Sequence, residues 1–175
     1  QGSALVDMAA EDFVRPVRTA MLTQFLTATA AGRVMARQRS GVVLTLSATP
    51  GGIGYPMVGG FGPACCAIEA FSTNLAAELG PHGVRVVNIR SAGSPDSRPF
   101  REAVAQDGEQ ARAFFARLEN DTMLKELPLM NDIANAAVFL ASNLAGKITG
   151  VTLDVTAGTT SALNYQVPTI AFVKR

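Results

Sequence analysis

Three short apolar runs punctuate the chain: GVVLTLS (41–47), VRVVNIR (84–90) and VTLDV (151–155). They are rich in Val, Leu and Ile and lack clean alternation through most of their length, the pattern of strands covered on both faces. Between them the period becomes helical. Ile68, Phe71, Leu75 and Leu79 recur at spacings of three and four, as do Ile133, Ala137 and Leu140, so each set falls on one helical face. Asn131 or Asp132 suits the cap of the second of these helices. Ahead of the first strand, residues 8–38 read as helix, with Glu11 and Asp12 in the first turn. Pro16 is expected to kink or divide that helix, because it lacks a backbone donor.

Strand, helix, strand, long crossover and strand is the grammar of a parallel sheet with right-handed connections. The fold class is therefore α/β, a partial doubly wound, Rossmann-type parallel sheet. The stretch 94–128 is longer than an ordinary connection and predicts a helical excursion over the C-terminal ends of the strands, the edge where such sheets bind ligands. The first strand would leave an apolar edge unpaired, which soluble proteins avoid, so a cover for it is expected. Residues 1–158 form one domain on this reading. Residues 159–175 form a C-terminal arm that packs on its own domain or on a partner.

Composition narrows the classes. The chain has 175 residues, 48% of them hydrophobic, enough for one sizeable core. A formal net charge of +1 gives no electrostatic reason to expect nucleic acid or an anionic membrane. The one basic cluster, RVMARQR ending at Arg39, suits a helix C-terminus. QGSALVDMAAEDF has neither the basic leader nor the apolar run of a secretory signal, and no segment approaches the roughly 20 apolar residues that span a bilayer. Cys65 and Cys66 are adjacent and offer neither a disulfide framework nor metal-ligand spacing. No metal is expected, and the expected setting is cytoplasmic.

The segment LSATPGGIGYPMVGG invites a phosphate-binding reading, since a strand runs into clustered glycines. Phosphate chemistry also needs a helix to start at once, so that its first amides face the anion. Here YPMVGG comes next, with a proline and two glycines where that helix would propagate. The loop reads as the rim of a pocket.

With these elements placed, the chain resembles the C-terminal two-thirds of the short-chain dehydrogenase/reductase superfamily. LAAELGPHGVRVVNI and the closing ITG with LDVTAG are the most specific matches, supported by DMAAEDF, GVVLTLSA and DIANAAVFLAS. The resemblance implies NAD or NADP as cofactor. The family's cofactor half precedes such a segment, and its Gly-rich turn and ribose-binding strand have no counterpart here, so neither nucleotide is expected to bind this chain alone. The family also implies pairing, as a homo-oligomer or with the missing half, through the helices at 17–38 and 61–79.

The same resemblance implies an Asn-Ser-Tyr-Lys catalytic set. Carried over by position, these fall on Ala20, Ala48, Phe61 and Cys65, so none is intact. No tyrosine in the chain is followed four residues later by lysine. Phe61 keeps a ring without a titratable hydroxyl, and Cys65 supplies no fixed cation. Five residues remain as pocket candidates: Ser47, one position from the serine site; Tyr55 in the rim loop, a candidate substitute acid; and Ser91, Gly93 and Ser97 after the second strand. His82 reads as an exposed turn residue, and Asp96 and Glu102 as surface charges. The leading functional reading is a divergent, oxidoreductase-like member without ordinary hydride transfer in this chain. Two others stand beside it. One is an active oxidoreductase, or a non-redox cyclase or lyase, using substitute groups once the cofactor half is present. The other is a non-catalytic subunit that pairs with an active relative.

Overall fold

The computed structural model describes residues 2–161. Three strands, β1 (Gly41–Ala48), β2 (Val84–Ser91) and β3 (Thr152–Val155), form one parallel sheet in the order β1-β2-β3. Helices α1 (Ala10–Gln38) and α2 (Phe61–Leu79) pack on one face, and α5 (Met130–Ala141) packs on the other. Helices α3 (Arg98–Gln106) and α4 (Gly108–Asn120) form the excursion between β2 and α5. The expected arm begins inside the described residues, but from 162 onward it lies outside them.

Each face of β2 has its own core. Val84 and Val86 meet Val43, Leu75, Ala76 and Ala28 beneath α1 and α2. Val87 and Ile89 meet Leu140 and Ala145 on the α5 side. The central strand is thus sealed on both faces, as an apolar run without alternation predicts. The first strand departs from that expectation near its end. Val43, Thr45 and Ser47 are buried and Leu44 packs on the α5-side core, while Leu46, toward the strand's end, is 52% exposed.

Pro16 does not divide the first helix, which runs unbroken for 29 residues. Only one backbone bond is forfeited, and close packing offsets it. Gly60, just before α2, lies so near Pro16 and the Phe13 carbonyl that a Cβ there would collide with both. The contact continues along the pair as Phe25 meets Phe71, with centroids 6.4 Å apart. At the far end Leu79 sits over Gly32, where a Cβ would come within 2.9 Å of it.

The excursion is two helices rather than one. The chain breaks at Asp107, whose carboxylate accepts the Gln110 amide at 3.0 Å and so starts α4. Two acids cap α5. Asp132 accepts the Leu129 amide at 2.8 Å, and Asp96 accepts the Met130 amide at 3.0 Å. Asp96 is exposed, as its reading as a surface charge expects, and it also tethers the loop after β2 to α5. Glu102 faces Arg98 across 3.5 Å on an exposed helix face.

Polar groups join the three strands on the α2 side. Thr45, Asn88 and Thr152 occupy one row of the sheet, and Ser47, Arg90 and Asp154 the next but one. Asn88 has no exposed surface; Thr45 donates to its carbonyl at 2.9 Å, and its amide donates to Ser47 Oγ at 2.8 Å. Ser47 donates in turn to Glu69 Oε1 at 2.7 Å. Arg90 grips Glu69 with two donors, at 2.9 and 2.6 Å, and reaches Asp154 at 2.9 Å. Its pairing with Glu69 raises the Arg90 pKa further above its already high ordinary value.

Glu69 and Arg90 are each only 14% exposed, whereas Asp154 is 36% exposed. Removing one member of a nearly buried pair strands its partner's charge, while an exposed pair contributes little. Glu69→Ala is therefore expected to lower the unfolding free energy by about 3 kcal/mol. Asp154→Ala is expected to lower it by less than about 1 kcal/mol. Urea titrations of both variants check this; equal losses would contradict it.

Candidate functional site

The four positions Ala20, Ala48, Phe61 and Cys65 come together. They line one cavity of about 300 Å³ between the start of α1, the end of β1 and the first turns of α2, with Ser47 and Ser91 on its wall. Among the described residues, no charged side chain lines it. Ala20 comes from α1, Ala48 from the last residue of β1, and Phe61 and Cys65 from successive turns of α2. Parallel pairing sets Ala48 opposite Ser91, which brings the second strand's end to the same place.

Cys65 is 2% exposed. Burial pushes its thiol above the usual range, partly offset by a backbone hydrogen bond at Ala48. It is a neutral, packed side chain near neutral pH, with little thiolate to act as nucleophile. Ser91 Oγ donates to the Ser47 carbonyl at 3.4 Å. Ser47 touches the cavity, but its hydroxyl is already engaged by Glu69 and Asn88. The cavity can thus pack an apolar group and offer a hydroxyl. Among the described residues that line it, none carries a side chain that exchanges a proton near neutral pH.

The other candidates lie elsewhere. Tyr55 lines a separate pocket of about 670 Å³ formed by the loop after β1 and the N-terminal segment. Its hydroxyl donates to Asp121 Oδ2, at the end of α4, across 3.4 Å. Burial, and then the Asp121 charge, raise the phenol above its ordinary value, so Tyr55 is a weaker acid than free tyrosine. Gly93 is pressed against the Phe100 ring, where a Cβ would clash. Ser97 is the residue before α3, and its side chain makes no capping bond. Ser94, three residues earlier, is 4% exposed, with a hydroxyl that finds no partner among the described residues. His82 is exposed, with Arg39 Nη1 at 3.4 Å from its Nδ1.

Sequence reasoning missed Glu69, Asn88, Arg90, Asp121 and Asp154. A signal for three of them was present. Asn88 and Arg90 stand two apart at the end of an apolar strand, and Asp154 interrupts VTLDV, so the alternation of the pleat puts polar groups on a covered face. Among the described residues, no helix is long and apolar enough to cross a membrane, and no cluster of His, Cys, Asp and Glu could hold a metal ion.

Comparison with known proteins bears on the family and the fold. The family model described as enoyl-(acyl carrier protein) reductase matches residues 1–160. Momilactone A synthase of Oryza sativa subsp. japonica is 32% identical over 151 residues, covering 85% of this chain and 53% of that protein. Sorbitol-6-phosphate 2-dehydrogenase of Erwinia amylovora shares the fold at a TM-score of 0.83 and 20% identity, over 91% of this chain and 64% of that one. A gluconate 5-dehydrogenase of Burkholderia cenocepacia, solved with NADP and tartrate, gives a TM-score of 0.82 at 20% identity, over 93% and 62%. The chain spans about half the length of the curated relatives it matches.

The Tyr55–Asp121 contact is directly measurable. The chain has two tyrosines, so a Tyr165→Phe background isolates Tyr55. Ultraviolet titration of phenolate absorbance is expected to place Tyr55 above the ordinary value of about 10. Asp121→Asn removes the charge that opposes ionisation and is expected to move the midpoint down. An unchanged midpoint would separate the two groups.

Proposed function

The chain belongs to the short-chain dehydrogenase/reductase family, and from that premise we propose a divergent member in which this chain carries no ordinary hydride-transfer chemistry. The observation that supports the reading is the composition of the cavity where Ala20, Ala48, Phe61 and Cys65 meet. Carbonyl reduction needs a proton donor at the carbonyl oxygen and a group to keep that donor acidic enough. Phe61 has no proton to give, and Cys65 has no positive charge to lower the pKa of a neighbour.

Members of this family bind NAD or NADP, and the cofactor enters this proposal only through a nucleotide-binding half. On this reading the loop around Gly93 would form the nicotinamide-side contact. The residues present supply no glycine-rich turn followed at once by a helix: the loop after β1 continues as a turn to Gly60 before α2 begins. On this reading the 175-residue chain alone has no micromolar site for either nucleotide.

A role as a pairing subunit is favoured by a specific feature. Leu22, Phe25 and Leu26 are each at least half exposed on the outer side of α1, an apolar stripe suited to a second copy or an active relative. Partner and role are one proposal here, since a scaffold freed from chemistry can still shape a neighbour's site.

The test uses protein that includes a nucleotide-binding half, so that absent cofactor binding does not mask the result. Phe61→Tyr alone is expected to give no measurable NAD(P)H-dependent reduction of a panel of ketones. Its hydroxyl would arrive with a pKa of about 10, because position 65 is a thiol and not an ammonium. Groups that act as a unit are strongly non-additive, so activity is expected only when Ala20→Asn, Ala48→Ser, Phe61→Tyr and Cys65→Lys are combined. Clear turnover by Phe61→Tyr alone would overturn the reading.

A further inference from the structure

The cavity at the four substituted positions holds about 300 Å³, and its wall is apolar over most of its extent. Leu46, Ile68 and Phe61 supply the larger side chains, and Ala20, Ala48 and Ala64 leave the room between them. The resemblance puts Asn, Ser, Tyr and Lys at Ala20, Ala48, Phe61 and Cys65. Each of the four changes lowers polarity, and none adds bulk. Leu46 is 52% exposed, so the apolar wall runs out to solvent and gives a ligand its way in.

The polar side chains on this wall are already engaged. Ser47 Oγ donates to Glu69 at 2.7 Å and accepts from Asn88 at 2.8 Å. Ser91 Oγ, the one hydroxyl left to offer, donates to the Ser47 carbonyl at 3.4 Å. Cys65, 2% exposed, brings a thiol, which is a weak donor. A ligand oxygen here must take its proton from an existing bond or stay unpaired, which weakens binding by about tenfold or more. Water is held no better, since a buried water needs about three polar partners. An apolar group has no such bond to lose, and it gains by covering apolar wall.

We propose that this cavity binds a small uncharged molecule poor in hydrogen-bonding groups, about the size of a six-membered ring with a short branch. The proposal rests on the reading that proton and hydride transfer are absent here, and it names what the substituted positions accept instead. The size follows from the volume. An apolar cavity of about 150 Å³ is enough for benzene. Twice that space takes the ring with a branch and stands at the lower end of ligand pockets, roughly 300–1,000 Å³.

The probes are α-methylstyrene and acetophenone, which share ring and branch and differ by a methylene against a carbonyl oxygen. Calorimetric titration of the 175-residue chain is expected to show one saturable site for α-methylstyrene. Acetophenone is expected to bind about tenfold or more weakly. Ala48→Ser puts a hydroxyl on the wall and is expected to shrink that ratio by about threefold or more, a response that packing alone does not give. Ala20→Leu fills the room and is expected to abolish α-methylstyrene binding. Leu5→Asp, on the wall of the larger pocket, is expected to leave it unchanged. Absence of saturable α-methylstyrene binding, equal affinities for the two probes, or a ratio unmoved by Ala48→Ser would each overturn the proposal. Binding lost in Leu5→Asp and kept in Ala20→Leu would overturn it too, since the ligand would then sit in the larger pocket. If thermal melting shows that Ala20→Leu no longer folds, the Ala48→Ser ratio and Leu5→Asp decide. No cofactor or turnover enters these titrations, so their failure leaves the reading of the chemistry standing. Turnover by Phe61→Tyr would sink that reading and leave the affinities as measured.

Discussion

A side-chain amide with no exposed surface must find hydrogen-bond partners inside the protein, and Asn88 imposes that condition at the centre of the sheet. Its partners come from both neighbouring strands and, through Ser47, from α2. Register follows from this. A slip of one residue would turn every inward side chain of a strand outward. A slip of two keeps the faces but sets Asn88 against Val43, leaving the amide unpaired in a low-dielectric interior. The Glu69–Arg90–Asp154 set adds the same demand one turn of the pleat further on, with the higher cost of an unpaired charge.

The consequence reaches the cavity. Ser47 is used by the network, so the wall between β1 and α2 presents Ala48, Phe61 and Cys65 with no free acid or base among them. Arg90 also lies against Gly52, so the network supports the base of the loop that shapes the larger pocket. One set of polar contacts thus holds the sheet, the substituted cavity and the pocket rim in a fixed relation. On the proposed reading, the scaffold of a family enzyme persists because its stability rests on groups other than the ones that carry chemistry.

Much of this was legible in the sequence. The apolar runs marked the three strands to within a residue at each end, and the spacing of Ile68, Phe71, Leu75 and Leu79 marked α2 and its buried side. The four substituted positions were named only through the resemblance to the family, carried over by position, and no local pattern of the residues themselves marks them. What stayed hidden was tertiary. Pro16 tells against a continuous helix by local rules, and only the close approach of Gly60 explains its tolerance. Asp96 is an exposed charge, as read, but its bond to the Met130 amide reaches a distant part of the chain and has no local signal. Glu69 and Arg90 are 21 residues apart, and nothing local announces that they meet.

The account's central claim is that the scaffold is kept while proton and hydride transfer are not. Single-turnover transfer of deuterium from deuterated NAD(P)H to a carbonyl substrate tests it most directly, using unmodified protein that includes a nucleotide-binding half. The account predicts no deuterium above the uncatalysed level at the carbinol carbon of the product. Stereospecific incorporation there would contradict it, since the reaction would then be running without the groups the cavity lacks.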